Sequence, residues 1–558
     1  MKKHLLIAPI LVLAFAAGTS VQLNAQQNDP WDQDQHFRFV PGTLVVSRSV
    51  YEGKASTVTI GESLPFGCQG GLTGLTVNVP TTTGGTTPVA VPCGVASDNG
   101  EYPNLFDSHN VWNNANTDGS FGVSSPIYLD DITTDGWTLG TLAVPTNDIV
   151  TSFSSKSELA LNRSVDGRSI TFMGYVGGIG CGGSTVSPTR PNLLDASASN
   201  TPGVCDATNP VISTFASNPV VPAAYYRGVA EVDADGHLSV TPGNAYSGDN
   251  GRAAIKGGND VYYMVGNDNS GNLSKKQMST TQDGIDLVNA TGAELLYPGV
   301  TPPLPPNIDM IGRLEFGTDK PGKDTNFRGL TIFNNTLYVT KGSGGNGINT
   351  VYQAGTAGTL PTGSAADLAN VPLTILPGFP NTAASTGTAF PFGIWFADAN
   401  TLYVCDEGDG VLVSPPVNGN VADAQSQATA GLQKWSLVNG TWVMQYVLQS
   451  GLNIGVPYSI DRYPSSLNPA TGGCRNITGR HNWDGTVTIY AITSTISANG
   501  DTGADPNKLV AVTDRVSDTT LPSADGFLGR FFTVRSAKAG EVLRGVAFAP
   551  DHFGGRGR

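Results

Sequence analysis

A unit of two strands joined by a turn returns along the chain, and this repeat constrains the fold more than any other feature. RAAIKGGNDVYY at Arg252–Tyr263 and RGLTIFNNTLYV at Arg328–Val339 share an arginine, a small residue, an apolar residue, a Gly or Asn turn and a Val/Leu-Tyr pair at the same offsets. Further copies open at Arg475 (RNITGRHNWDGTVTIYAI), Arg544 (RGVAFAP) and Phe392 (FGIWFADANTLYV), and 157–175 (SELALNRSVDGRSITFMGY) holds one with a longer turn. These six units start roughly 65 to 95 residues apart, more than the 40 to 50 of compact propeller repeats, which suits four-stranded blades carrying inserted loops. The surplus falls in stretches such as 81–87 and 355–366.

Outer strands follow the units. GLQKWSLVNG and TWVMQYVLQ, after the Phe392 unit, meet at Asn439-Gly440, while YYRGVAEVDADG and HLSVT, after the 157–175 unit, meet at Asp235-Gly236. Both junctions suit the positive φ of tight hairpin turns. The last unit is incomplete, but GTLVVSRSV at 42–50, SPIYLDDITTDG at 125–136 and TLGTLAVPT at 138–146 supply three unclaimed strands. One C-terminal strand and three N-terminal ones make a blade, and closing a ring this way removes two exposed sheet edges. The expectation is an all-β propeller over 41–558, with six four-stranded blades closed by the N- and C-terminal strands; seven blades is the alternative. With 70 Gly, 36 Pro and 14% charged residues, the composition agrees with short strands and turns.

Residues 1–25 read as a secretory signal peptide. Lys2, Lys3 and His4 precede an apolar run from Leu5 to Ala17, and Leu23-Asn24-Ala25 offers small-residue cleavage chemistry. The run is shorter than the roughly 20 residues of a membrane span, and no later stretch matches it, so no membrane span is expected. The mature chain then begins near Gln26 with an extension over 26–40, and is expected to be secreted, extracellular or periplasmic, and monomeric. A net charge of −14 argues against nucleic acid and anionic lipid as partners.

Six cysteines in an exported chain are disulfide candidates. Local spacing suggests Cys68 with Cys93, Cys181 with Cys205, and Cys405 with Cys474, although six cysteines allow fifteen connectivities. Neither CxxC spacing nor a Cys/His cluster supports zinc.

AYSGDNGRAA, NFRGLTIFNNTLYV, LQKWSLVNGTW and LRGVAFAP, in this order, resemble a family of secreted bacterial β-propeller proteins. The resemblance spans most of the mature chain and implies the fold and export. It transfers no catalytic residue, and the cysteine-bearing stretches 68–93 and 181–205 depart from it.

Arg252, Arg328, Arg475 and Arg544 each open an inner strand, with Phe392 and a residue near Glu158 in the two other places. One reading makes them an anion-binding ring at a channel mouth, planar forks gripping carboxylate or phosphate, with Asn250 and Asn326 adding amide contacts. The other, which we favour, makes each arginine a tie between blades through a carboxylate or carbonyls.

Asp406, Glu407 and Asp409 in CDEGDG form an oxygen-rich loop of a kind that binds calcium, as do NDNSGN at 267–272 and VDADGH at 232–237. None completes the twelve-residue calcium loop, and Asp-Gly or Asn-Gly turns account for all three. G-x-S-x-G, H-E-x-x-H and P-loop motifs are absent, and His109 and His481 lack an orienting partner at useful spacing. Two functions fit. The first is a binding or scaffold protein presenting loops and aromatic tips (Trp112, Tyr128, Trp395, Trp483) to a glycan, a protein, a small anion or the cell surface. The second is a metal-assisted hydrolase of an ester, lactone or phosphate, with Arg252 and Arg328 as anion clamps and Asp406 or Glu407 as ligands or bases.

Overall fold

Two-residue hairpins of type I′ need positive φ at both central positions, which Asn and Gly tolerate best. The chain places Asn334-Asn335 (φ 45° and 56°) and Asn439-Gly440 (φ 50° and 79°) at such points. In the computed structural model of the chain these turns join Phe327–Phe333 to Thr336–Lys341 and Gly431–Val438 to Thr441–Leu448. The structure describes residues 37–51, 122–146, 148–153, 155, 158–176, 227–243, 251–266, 327–342, 348–362, 371–382, 389–411, 428–497, 502–523 and 526–553, with short isolated strands elsewhere.

The protein is an all-β propeller. Among the described residues five four-stranded blades stand in a ring, each named by the residue near the start of its inner strand. The Arg252 blade runs Gly251–Lys256, Val261–Gly266, Ile285–Asn289, Ile308–Met310, and the Arg328 blade Phe327–Phe333, Thr336–Lys341, Thr350–Ala354, Leu373–Ile375. The Phe392 blade runs Pro391–Asp398, Thr401–Asp406, Gly431–Val438, Thr441–Leu448, and the Arg475 blade Ala470–His481, Thr486–Ile496, Lys508–Arg515, Phe532–Ser536. In the Arg544 blade the C-terminal strand Glu541–Phe548 is innermost, followed by Leu44–Val50, Ile127–Ile132 and Thr138–Ala143. The closing blade therefore has the expected composition. Its register is anchored by Leu44 opposite Phe548 on one side and Ile132 on the other.

The 157–175 unit departs from the expected pattern. It belongs to a seven-stranded sheet ordered Leu194–Asp195, Gly122–Ser125, Ile149–Ser152, Ser169–Val176, Arg227–Asp233, Leu238–Gly243, with Asn162–Arg163 paired to Ser169–Val176 off that path. Leu159 takes a left-handed φ of 60°, so the segment is extended for only two residues. The inner edge of Ser169–Val176 is consequently shared: Asn162 and Arg163 pair with Thr171 and Ile170, while Ile149 and Val150 pair with Val176 and Tyr175. Asn162–Arg163 lies against the Arg544 blade on one side and the Arg252 blade on the other.

Close approach of neighbouring inner strands explains the small residue after the first position. A Cβ on Gly329 would sit 2.2 Å from the Phe392 carbonyl, one on Gly393 2.3 Å from the Arg475 carbonyl, and one on Gly545 2.4 Å from the Leu161 nitrogen. The same step recurring around the ring sets all the first positions at one mouth of the channel.

The core is a series of wedges between blade faces. Ala253, Ile255 and Tyr263 meet Phe327, Leu337 and Val339; Phe333 and Tyr338 meet Phe396, Leu402 and Trp442; Tyr403 and Leu432 meet Ile477, Ile489 and Val512; and Tyr490 and Leu509 meet Leu44 and Val546. Burying each large side chain contributes about 1.5–3 kcal/mol. Ionic ties thread these wedges. Lys434 meets Asp514 at 3.0 Å, both fully buried, with the Tyr403 and Tyr446 hydroxyls donating to the same carboxylate. Asp130 takes Arg48 from its own blade and Arg535 from the Arg475 blade, each at 2.8 Å. Burial opposes ionisation of Asp130, and the hydrogen bonds and charges of Arg48 and then Arg535 outweigh it, holding the carboxyl below its usual value.

Residues 38–558 form one compact unit. Phe39 donates to the Ala234 carbonyl and Val40 to Asp131. No helix among the described residues is long and apolar enough to cross a membrane.

Candidate functional site

The channel has two chemically different mouths. At the mouth where inner strands begin, Arg252, Arg328, Arg475 and Arg544 are all buried. Arg252 Nη1 donates to the Phe327 carbonyl of the next blade at 2.7 Å, and Arg544 donates to the Phe153 carbonyl and to Ser49. Arg475 Nε bonds Glu407 of the preceding blade at 3.0 Å. Arg328 Nε donates to its own blade's Gly342 carbonyl, and its Nη2 stands 3.9 Å from the same Glu407. Where the fourth unit lacks arginine, Phe392 puts its ring 6.0 Å from the Arg328 guanidinium. The place near Glu158 holds Glu158 itself, which accepts hydrogen bonds from Thr151, Ser152 and Tyr175. The Arg252 and Arg475 contacts reach a neighbouring blade, while the Nε bond of Arg328 stays within its own. Lys341, buried at the end of the second strand beside Arg328, adds a cation at this mouth that the sequence reading missed; only its place after an Arg-led hairpin would have pointed to it.

Asp406, Glu407 and Asp409 sit where the second strand of the Phe392 blade ends. Asp406 is fully buried and accepts from the Phe390 and Gly408 amides at 2.9 Å each and from Gln433 at 3.0 Å. Burial, with the neighbouring Glu407 charge, pushes its carboxyl up to about 7, against the opposing pull of those amides. Glu407 holds Arg475, and Asp409 Oδ1 accepts from the Val411 amide as an Asx turn. The three do not converge, and among the described residues no group of three or more His, Cys, Asp or Glu is placed to hold a metal ion. Cys405 and Cys474 form a disulfide across this corner, Cα to Cα 5.2 Å, joining the Phe392 and Arg475 blades. Cys68, Cys93, Cys181, Cys205, Asn250, Asn326, His109 and the 267–272 loop lie outside the described residues.

At the opposite mouth the inner strands end around a cavity of about 400 Å³. Phe333, Trp395, Phe396 and Phe548 line it together with Asn162 and Thr478. Phe333 and Phe396 stack at 4.7 Å. The sequence reading missed these aromatics, although a visible signal existed: Phe precedes the turn in FNNT, FADAN and FAPD. Trp395, expected at a loop tip, instead lies within an inner strand against Tyr403 and His481, on the wedge between the Phe392 and Arg475 blades. Tyr128 is also no tip; it lies in a strand with the Arg48 guanidinium 4.9 Å over its ring. His481 ends its strand with Nε2 against the Ala397 carbonyl. Trp483 is a true tip, 99% exposed. The side chain of Trp112 lies outside the described residues.

The chain matches no protein-family model and no curated protein. Among solved structures it is similar to a variant of the Synechocystis apocarotenoid oxygenase, at 9% identity and a TM-score of 0.22 over 88% of this chain and 64% of that one. It is similar also to a chimera of that oxygenase with RPE65, at 9% identity and 0.22 over 85% and 64%. The NanB sialidase from Streptococcus pneumoniae gives 8% identity and 0.19 over 91% and 78%. The chain thus spans about 64% of the length of the oxygenase structures, and at these scores the likenesses carry no functional inference.

Proposed function

We infer that this is an exported six-bladed propeller that works as a binding protein, meeting an extracellular glycan, protein or small anion with the connections at its arginine mouth. In this reading Asn162–Arg163, Ser169–Val176, Arg227–Asp233 and Leu238–Gly243 make the sixth blade, and Gly122–Ser125, Ile149–Ser152 and Leu194–Asp195 extend it. The observation that carries the reading is that the two longest connections, 51–126 and 177–226, both leave from the arginine mouth. Links between second and third strands leave from the arginine mouth and cover 51–126, 177–226, 267–284, 342–349, 407–430 and 497–507. At the other mouth links between first and second strands are short, 164–168, 257–260, 334–335, 399–400 and 482–485, and those between third and fourth strands, such as 290–307, 355–372 and 516–531, stay well below the two longest. Long connections raised on a rigid scaffold are where proteins place recognition. The arginine ties keep that scaffold rigid, and the disulfide beside them suits an oxidising compartment.

The test is a binding panel of immobilised glycans and small carboxylates and phosphates, read on the full chain and on a variant in which 411–427 is replaced by a Gly-Ser turn. Binding by the full chain that weakens in the variant, with the melting temperature kept, is the expected result. Turnover of a model ester, lactone or phosphate that stops on chelation would overturn it in favour of a metal-assisted hydrolase.

A further inference from the structure

On the outer side of the second mouth, the Arg475 blade carries a surface pocket of about 540 Å³. Trp483, from the turn 482–485, and Phe527, from the connection after Lys508–Arg515, frame it. Thr486, Thr488 and Thr513 form its floor with Asn482 and Asp484. Trp483 is 99% exposed and Phe527 74%.

The turn is held firmly by residues other than the tryptophan. Asn482 Nδ2 donates to the Thr486 and Thr488 hydroxyls at 2.8 and 3.0 Å. Asp484 Oδ1 accepts from the Thr486 amide and hydroxyl at 3.1 and 2.6 Å, and Gly485 supplies the positive φ of 78°. Position 483 is therefore under no demand from the fold, yet it carries the largest apolar side chain. A tryptophan there displays a rigid aromatic face whose immobilisation on binding costs little entropy.

We propose that Trp483, Phe527 and the Thr486-Thr488-Thr513 hydroxyl row form a carbohydrate-binding site for a neutral pyranose chain. The C–H face of a pyranose ring lies flat on the indole, as apolar surface on aromatic surface. Its hydroxyls need donors and acceptors together; the Asn482 amide hydrogens and the Thr486 hydroxyl hydrogen are spent within the turn, so the Thr488 and Thr513 hydroxyls supply the donors, and the second Asp484 carboxylate oxygen and Asn482 Oδ1 the acceptors. Hydrogen bonds from Thr486 hold Asp484 below its usual value, so it remains an acceptor. The formal charges at the pocket, Arg480 and Asp484, balance, which favours a neutral ligand over a uronate or phosphate. The site rests on the reading of the protein as an exported binder and adds a second face to it.

The experiment is calorimetric titration of the full chain with hexamers of β-1,4-glucose, β-1,4-N-acetylglucosamine and α-1,4-glucose, and with a hexameric uronate as the charged comparison. At least one neutral hexamer is expected to bind better than the uronate. Trp483→Ala should weaken it by about tenfold or more, equivalent to about 1.4 kcal/mol, with the melting curve unchanged. Trp483→Phe should retain most of the affinity, and Phe527→Ala should lose several-fold. Failure of every neutral hexamer to bind, tighter binding of the uronate, or unchanged affinity in Trp483→Ala would overturn the site. Glycan binding that survives Trp483→Ala but is lost when 411–427 is replaced would overturn this site and leave the arginine-mouth reading standing.

Discussion

The arginine mouth and the aromatic mouth are two ends of the same inner strands, and they are stabilised by different physics. At the first, Arg475 holds Glu407 at 3.0 Å and Asp406 is sealed under three N–H donors. At the second, Phe333 stacks on Phe396 beside a cavity of about 400 Å³. Buried ions are unforgiving, since loss of one partner leaves an uncompensated charge. Stacked rings beside a cavity lose only area and have room to relax. The first end is thus built to stay in place beneath long connections, and the second tolerates change.

The largest expected effect tests the first half of that contrast. Arg475→Leu removes the 3.0 Å partner of the buried Glu407 carboxylate, leaving the Arg328 guanidinium at 3.9 Å, and should lower unfolding stability by up to about 3–5 kcal/mol, measured by denaturant titration. A loss under 1 kcal/mol would mean that Glu407 does not depend on this arginine.

The second concerns Asp406. Its folded value of about 7 lies above the ordinary 3.8, so between these pH values the native state holds a proton that the unfolded state has released. Stability contributed by the protonated carboxyl is complete below about pH 4 and is lost as pH rises through about 7, by up to about 4 kcal/mol. Denaturant titrations at pH 4, 5.5 and 7 should show this decline, with a flatter profile in Asp406→Asn. Parallel profiles would show that the amide donors dominate and Asp406 is ionised throughout.

The smallest effect lies at the second mouth. Phe396→Leu keeps most of the apolar volume and should cost about 1 kcal/mol. A loss as large as that of Arg475→Leu would erase the distinction between the two ends.

Much of this architecture was legible before any coordinates. The Asn439-Gly440 hairpin, the outer strand pair around Asp235-Gly236 and the joining of 42–50 to RGVAFAP depend on local turn chemistry or on matching strand lengths. The 157–175 unit was legible only in part: its sequence alternates like the others, while the left-handed Leu159 and the competing strand Ile149–Ser152 divide its partner's edge. The aromatic mouth was overlooked because an inner-strand Trp and a loop Trp look alike in sequence; Trp395 and Trp483 differ only in where the strand ends.

The sequence by itself determined what repeats locally: strand periodicity and the turns that demand positive φ, because these are effects within a few neighbours. Only the tertiary structure decided who meets whom. Arg475 reaching Glu407 across 68 residues and Lys434 sealed against Asp514 are outcomes of ring geometry, whereas the Cys405–Cys474 bond across 69 residues was already a candidate from the cysteine spacing. The charge and reach of each side chain are written locally, but its partner is supplied by the blade that closure brings alongside.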